Sequence, residues 1–245
     1  MKKEKVLLLS KDECYLVERG KDMHTKSGVI RGSDVMKGFG KKIKTHLGKE
    51  FSLIKPNMKD ILEKVVTRTA QVMLPKDVAL ILGYTGIYGD GLVVDAGTGT
   101  GYTAIFVANY VSNGKIVTYE KDKKFFKNAK KNIELSGFNN IKIKKSDATK
   151  GISEKNVDLV ILDLQDADKV IKHAYKALIY GGYIAIYSPT IDHLMKILKA
   201  VRSKRFIDIK TVESIVREWQ TERTVRPKTI GLMHTGFLTF ARKII

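Results

Sequence analysis

The sequence predicts an α/β protein whose larger part is a doubly wound, mostly parallel sheet, preceded by a small all-β unit and closed by an antiparallel C-terminal edge pair. Three observations carry this prediction. From residue 57 onward, short apolar runs alternate with helix-length amphipathic stretches, which is how βαβ crossovers read. Residues 1–56 instead hold short apolar pieces cut by glycines at 20, 28, 32, 38, 40 and 48, a pattern of strands and turns. The last two apolar stretches, "FIDIKTVESIVREWQ" and "MHTGFLTFARKI", have no helical stretch between them, so they are expected to pair with each other at one edge.

Each element follows from its own residues. In 1–56, "KVLLLS", "CYLVERG", "GVIRG" and "EFSLIKP" are the strand candidates. In 57–245 the strands are "GLVVDAG", "GKIVTYE", "NIKIKK", "VDLVILDL" and "GGYIAIYS". The intervening helices are "YTAIFVANYV", "DKKFFKNAKKNIELSG", "DADKVIKHAYKALIYGG" and "IDHLMKILKAVRS". With the two tail strands the sheet has seven. The chain contains no internal repeat and no low-complexity linker.

Composition narrows the function. The 245 residues carry 45 Lys+Arg against 26 Asp+Glu, a net charge of +19, and the simplest partner for such a surplus is a polyanion, nucleic acid first. The excess is spread along the chain: residues 1–50 hold 13 basic and 7 acidic residues, and residues 121–155 hold 11 and 4. No apolar run approaches the ~20 residues of a membrane span, and the N-terminus does not read as a signal peptide, so a soluble, cytoplasmic protein is expected. One cysteine, Cys14, permits no internal disulfide, and the five histidines lack metal-ligand spacing.

The stretch "VVDAGTGTGYTAIFVANY" (93–110) places three glycines between the first strand of the sheet and its first helix. Backbone N–H groups and close ligand approach make glycine useful there. Gly97, Gly99 and Gly101 give G-x-G-x-G, whereas the dinucleotide fingerprint needs a glycine at 102, where Tyr102 stands. A nicotinamide cofactor is therefore disfavoured. Glu120 ends the second strand about 20 residues beyond the loop, where a carboxylate can accept both hydroxyls of a ribose. Asp147 follows the third strand and Asp163 the fourth, beside the first at the switch point of the sheet. A site bordered by Asp95, Glu120, Asp147 and Asp163 suits a ligand with ribose hydroxyls, an amino group and an exocyclic amine.

That profile describes S-adenosylmethionine (SAM), and the sequence resembles the class I methyltransferases, within them the tRNA adenine-58 N1-methyltransferases. The resemblance is carried by "RTAQVMLPKDVALIL", "VVDAGTGTGYTA", "VTYE", "SDA", "VDLVILDL" and the tail "VRPKTIGLMHTGFLTFARK". "HTKSGVIRGSDVMKGFGKKIKTHLGKEFSLIKP" resembles the family's N-terminal β-domain, so the likeness spans nearly the whole chain. It implies a Rossmann-like methyltransferase sheet over 57–245, an RNA-contacting domain over 1–56, SAM as cofactor, tRNA as partner, methylation of N1 of adenine 58 in the T loop, and a homotetramer. By residue, it implies that Gly97, Thr98, Gly99, Thr100 and Gly101 wrap the methionine end of the cofactor, while Asp95 reaches its amino group through the loop. Glu120 with Lys121 would hold the ribose, Asp147 with Ala148 the adenine, and Gln71 would close the pocket. Asp163 would face the target base.

Two departures from the family stand out. Many members follow the acid at Asp163 with a proline-rich stretch ending in tryptophan, where this chain reads "DLQDADKV", and Leu74 replaces an aromatic or histidine before "PKD". The base pocket implied by the resemblance is thus Leu74, Tyr102 and His234, with Tyr102 the candidate for the missing ring. His234 either lines that pocket or is satisfied within a buried edge strand. Trp219 and Arg217 are expected to pack against a neighbour or a second subunit rather than touch RNA. "EKDKKFFKNAKK" and "KKSDATK" read equally as phosphate contacts or as solvated faces. A protein isoaspartate methyltransferase shares the glycine loop but fits the charge and the tail badly; a non-catalytic RNA-binding subunit would leave the loop without a use.

Overall fold

The computed structural model describes residues 4–64, 66, 72–222, 224–231 and 234–245. Contacts divide the chain into two compact units, Met1–Thr67 with Glu134–Gly137, and Arg68–Ile133 with Phe138–Ile245. In the first, strands β1 (Lys5–Leu9) and β2 (Cys14–Glu18) form a hairpin, followed by a small two-stranded ribbon, β3 (Met23–Thr25) and β4 (Gly28–Ile30). A helical turn α1 (Gly32–Val35), strands β5 (Lys42–Lys44) and β6 (Glu50–Ile54) and helix α2 (Met58–Lys64) complete it. The four-stranded antiparallel sheet has the order β2-β1-β6-β5. Alternate residues of its strands, Val6 and Leu8 on β1, Phe51 and Leu53 on β6, meet Val17, Ile30, Val35 and Ile43 in one core, as a sheet with one covered face requires. Helix α2 groups with this unit, whereas a boundary at 56 would assign it to the next.

The second unit is the expected doubly wound sheet. Helix α3 (Pro75–Thr85) leads into β7 (Leu92–Ala96), α4 (Tyr102–Tyr110), β8 (Lys115–Glu120), α5 (Lys123–Ser136) and β9 (Ile141–Lys145). A 3₁₀ turn at Ala148–Lys150 precedes β10 (Val157–Leu162), α6 (Ala167–Ala177), β11 (Leu178–Ser188), α7 (Ile191–Arg202) and β12 (Phe206–Glu213). The short ribbon β13 (Trp219–Gln220) and β14 (Arg226–Pro227) precedes the last strand, β15 (Phe237–Lys243). The seven strands lie in the order β12-β15-β11-β10-β7-β8-β9. Strands β9, β8, β7, β10 and β11 are parallel, and β15 enters antiparallel between β11 and β12. The tail pair thus forms at the edge, but the run 206–220 is two strands rather than one.

Burial explains the strand sequences. Strand β10 reads Val-Asp-Leu-Val-Ile-Leu, with all but Asp158 buried, because helices cover both faces of a central parallel strand. Asp158 instead accepts a 2.7 Å hydrogen bond from the backbone N–H of Leu92, tying the start of β10 to β7. Register then aligns the strand ends: Asp95 pairs with Thr118 and Ile161, and Glu120 with Lys145. The residues just beyond these pairs, at the carboxyl ends of four parallel strands, form one rim.

Candidate active site

That rim encloses a cavity of about 320 Å3, within the second unit. Its wall includes the glycine loop from Gly97 to Thr100, Glu120, Lys121, Asp147, Ala148 and Asp163. The loop continues the pairing of β7 with β10: the Gly97 N–H donates to the Asp163 carbonyl (3.2 Å) and the Asp163 N–H to the Ala96 carbonyl (2.6 Å). It then turns through left-handed backbone at Gly99 (φ 55°) and Gly101 (φ 85°), a conformation costly for any side chain with a Cβ. Gly101 is the N-cap of α4, so the first N–H groups of that helix lie at the loop. From behind, the buried Asn132 side chain of α5 donates to the Thr100 carbonyl (2.9 Å).

The acids differ in environment. Glu120 is 7% exposed and holds the loop in place: one oxygen accepts from the Gly99 N–H (3.0 Å), the other from the Asp122 N–H (2.9 Å). Asp147 uses one oxygen to accept from the backbone N–H (2.9 Å) and hydroxyl (2.8 Å) of Thr149, which holds its carboxyl below the usual range. Asp163 is partly buried on the wall, and desolvation pushes its pKa up to about 6. Asp95 is 1% exposed and stands behind the wall. Burial raises its pKa to about 7, against the Thr118 hydrogen bond that lowers it, and the charges of Asp163 and Glu120 add to the rise. Its Oδ2 accepts from the Thr118 hydroxyl (2.6 Å), which lies 2.6 Å from the Thr98 hydroxyl on the wall. Its buried Oδ1 has no hydrogen-bond partner among the described residues.

These residues fit SAM. Each Glu120 oxygen has already accepted one N–H and retains a second lone pair, which leaves room for a diol. The second oxygen of Asp147 makes no hydrogen bond among the described residues and suits an exocyclic amine. At Gly97 a methyl group would meet only the Asp163 carbonyl oxygen and Glu120 at ordinary contact distance, so that glycine leaves space that the protein itself does not fill. The relay from Thr98 through Thr118 connects Asp95 to the loop without bringing its carboxylate to the surface of the cavity.

The rest of the expected site divides. Tyr102, 3% exposed, is on the wall at the start of α4. Leu74 is not; it is the N-cap of α3, with the wall formed instead by Val72 and Met73 just before it. His234 is neither in the cavity wall nor in a buried edge strand. It lies exposed before β15, hydrogen-bonded to the Glu213 carboxylate and the Pro189 carbonyl, and the carboxylate raises its pKa. The rest of the tail motif is structural. Thr235 bonds to Lys76 (2.8 Å) and to the buried Asp77 (3.2 Å), and its carbonyl accepts from the Tyr187 hydroxyl. Gln71 lies outside the described residues.

Sequence reasoning missed part of the wall: Val72, Met73, Ala96, Thr103, Tyr119, Phe125, Ser146, Leu164, Gln165 and Asp166. The signal for Leu164 and Asp166 was present, because the departing segment "DLQDADKV" directly follows the acid of β10. Phe125, in the first turn of α5, reads from sequence as an ordinary core face.

The comparisons with known proteins agree with this geometry. The model of the family described as "tRNA methyltransferase complex GCD14 subunit" matches residues 59–232. A tRNA (adenine(57)-N(1)/adenine(58)-N(1))-methyltransferase TrmI of Methanocaldococcus jannaschii is 34% identical, over 97% of this chain and 94% of its own. Among solved structures, a SAM-dependent O-methyltransferase of Thermotoga maritima superposes with a TM-score of 0.86 at 30% identity, covering 100% of this chain and 94% of the other. The tRNA (m1A58) methyltransferase TrmI of Aquifex aeolicus has the same fold, with a TM-score of 0.79 at 23% identity over 99% and 97% of the two chains. With a family model across most of its length and a relative one-third identical from end to end, the chain belongs to the family of the tRNA methyltransferase complex GCD14 subunit.

Proposed function

We propose that this protein is a SAM-dependent tRNA methyltransferase that methylates N1 of adenine 58 in the T loop. The observation that carries the reading is the rim of four strand ends. It presents a ribose acceptor, an amine acceptor and a half-buried acid around one cavity, in a chain that matches a tRNA methyltransferase family. SAM, when bound, supplies a methyl group on a positively charged sulfur. The protein's residues then need only hold the acceptor in line, because adenine N1 carries its own lone pair and loses no proton before attack. Asp163 is the catalytic residue in this reading: its carboxylate accepts a hydrogen bond from the N6 amine, which orients the ring and stabilises the positive charge growing on it. Glu120, Asp147 and the loop from Gly97 to Gly101 bind the cofactor, with Lys121 and Ala148 beside them, and Asp95 acts on the loop through Thr118 and Thr98. Tyr102 supports the extruded base.

The assembly we propose is a cytoplasmic homotetramer. It is supported by large apolar side chains left exposed around the β13–β14 ribbon, Ile215, Val216, Trp219, Val225 and Ile230, which suit burial in an interface. No helix among the described residues is long and apolar enough to cross a membrane. The test of function is transfer of labelled methyl from SAM to an unmodified tRNA transcript, with the product nucleoside identified by mass. Formation of 1-methyladenosine at position 58 supports the reading; methylation of a protein carboxyl or a hydroxyl, with tRNA untouched, overturns it.

A further inference from the structure

We propose that the exposed lysine face of α5 is a docking stripe for the phosphate backbone of the substrate RNA. The proposal rests on the tRNA reading above and adds the surface that grips the substrate. Helix α5 carries Lys123, Lys124, Lys127, Lys130 and Lys131 against one acid, Glu134. At 3.6 residues per turn the five lysines fall within an arc of about 120°, and Lys123 to Lys131 spans about 12 Å along the axis. The opposite face carries the buried Ala129, Asn132 and Ile133.

A solvated helix face is built differently. Its acids and bases alternate at i,i+4, and acids collect in the first turn and bases in the last, where they suit the helix dipole. Helices α6 and α7 obey this rule, with Asp168 and Asp192 in their first turns and Lys176, Lys199 and Arg202 in their last. Helix α5 inverts it. Its first turn holds Lys123 and Lys124 at the positive end of the dipole, and its last turn holds no base. The acid before it, Asp122, is engaged in capping the N–H groups of Lys124 (2.7 Å) and Phe125 (2.9 Å). Among the described residues, Lys123, Lys124, Lys127 and Lys131 have no carboxylate within 4.0 Å. Lys130 and Glu134 are the exception on this face, each with an interaction of its own; the like charge of Lys123, Lys124, Lys127 and Lys131 opposes folding, and a polyanion laid along them removes the repulsion. The stripe also starts at the site, since Lys121 and Phe125 stand on the wall of the cavity.

The test compares full-length wild type with a variant carrying Lys123→Gln, Lys124→Gln, Lys127→Gln and Lys131→Gln. Glutamine keeps helix propensity, and an unchanged SAM affinity by calorimetry confirms an intact fold. Binding to a tRNA transcript is followed by fluorescence anisotropy across a salt series. The variant is expected to bind at least about 10-fold more weakly near 0.1 M salt, to lower the slope of log affinity against log salt by about 3, and to converge on wild type near 1 M. A control variant with Lys172, Lys176, Lys196 and Lys199 changed to Gln on α6 and α7 removes the same charge and is expected to lose little. Equal affinity and slope in variant and wild type would overturn the stripe and leave the face to an acidic protein surface. An equal loss in the control would also overturn it, because net charge alone would then explain binding. In both cases a wild type that methylates tRNA preserves the functional reading; a wild type that neither binds nor methylates tRNA removes both.

Discussion

Asp163 and Glu120 stand on one wall and are assigned opposite duties, which kinetics can separate. Asp163→Ala is expected to lower methyl transfer by roughly 100-fold or more, the usual cost of one lost charge-stabilising contact, with little change in SAM affinity. Glu120→Ala should lose SAM affinity first, because its two oxygens also hold Gly99 and Asp122. Single-turnover rates and calorimetry on both variants check this; identical profiles would show the division to be false. Acidity adds a second prediction. With a pKa of about 6, Asp163 is ionised at neutral pH and protonates below it, so kcat/KM for tRNA should fall about 10-fold per pH unit on the acid side of 6. An Asp163→Asn variant should lose that limb.

At the scale of elements, the tail motif acts as a clasp. Gly236 passes so close to Tyr187 that an added Cβ would lie 2.5 Å from the ring, and the ring is 8% exposed with its hydroxyl bonded to Thr235. Gly236→Ala should therefore destabilise the protein by about 1 to 3 kcal/mol, as overpacking does. Urea melts would measure the loss, and in a double-mutant cycle Gly236→Ala should cost less in a Tyr187→Ala background, where the ring it meets is gone. Elements also mark what could be read in advance. The five parallel strands and the order of their helices followed from alternating apolar runs, and Glu120, Asp147 and Asp163 from their places at strand ends. The positions of Leu74 and His234 did not follow, because each depends on the path of a loop between elements. Leu74, extended as the N-cap of α3, does not join the wall that Met73 lines, and Glu213 captures His234 from a distant strand end. The break between β12 and β13 was equally hidden, since apolar residues such as Ile215 and Val216 continue the strand-like pattern while remaining exposed.

For the whole molecule, the ribbon around Trp219 carries the prediction about assembly: if the proposed tetramer forms through it, light scattering should find wild type as the larger species and Trp219→Asp as smaller ones, with SAM affinity intact. The buried Asp95 carries another, concerning stability. Its folded pKa of about 7 lies above the unfolded value, so its contribution to stability falls as pH rises from about 4 to 7 and stays unfavourable above that. Asp95→Asn should accordingly stabilise the ligand-free protein at pH 8 by about 2 to 4 kcal/mol, seen as a higher melting temperature, while weakening SAM binding. The wild-type carboxylate is thus expected to cost the ligand-free protein stability at neutral pH, and SAM at 100 times its Kd would restore about 2.7 kcal/mol. Limited proteolysis without SAM should therefore cut wild type faster than Asp95→Asn, and added SAM should slow the cleavage of wild type. A supply of methyl donor is in this way expected to protect the chain, and to protect wild type more than Asp95→Asn.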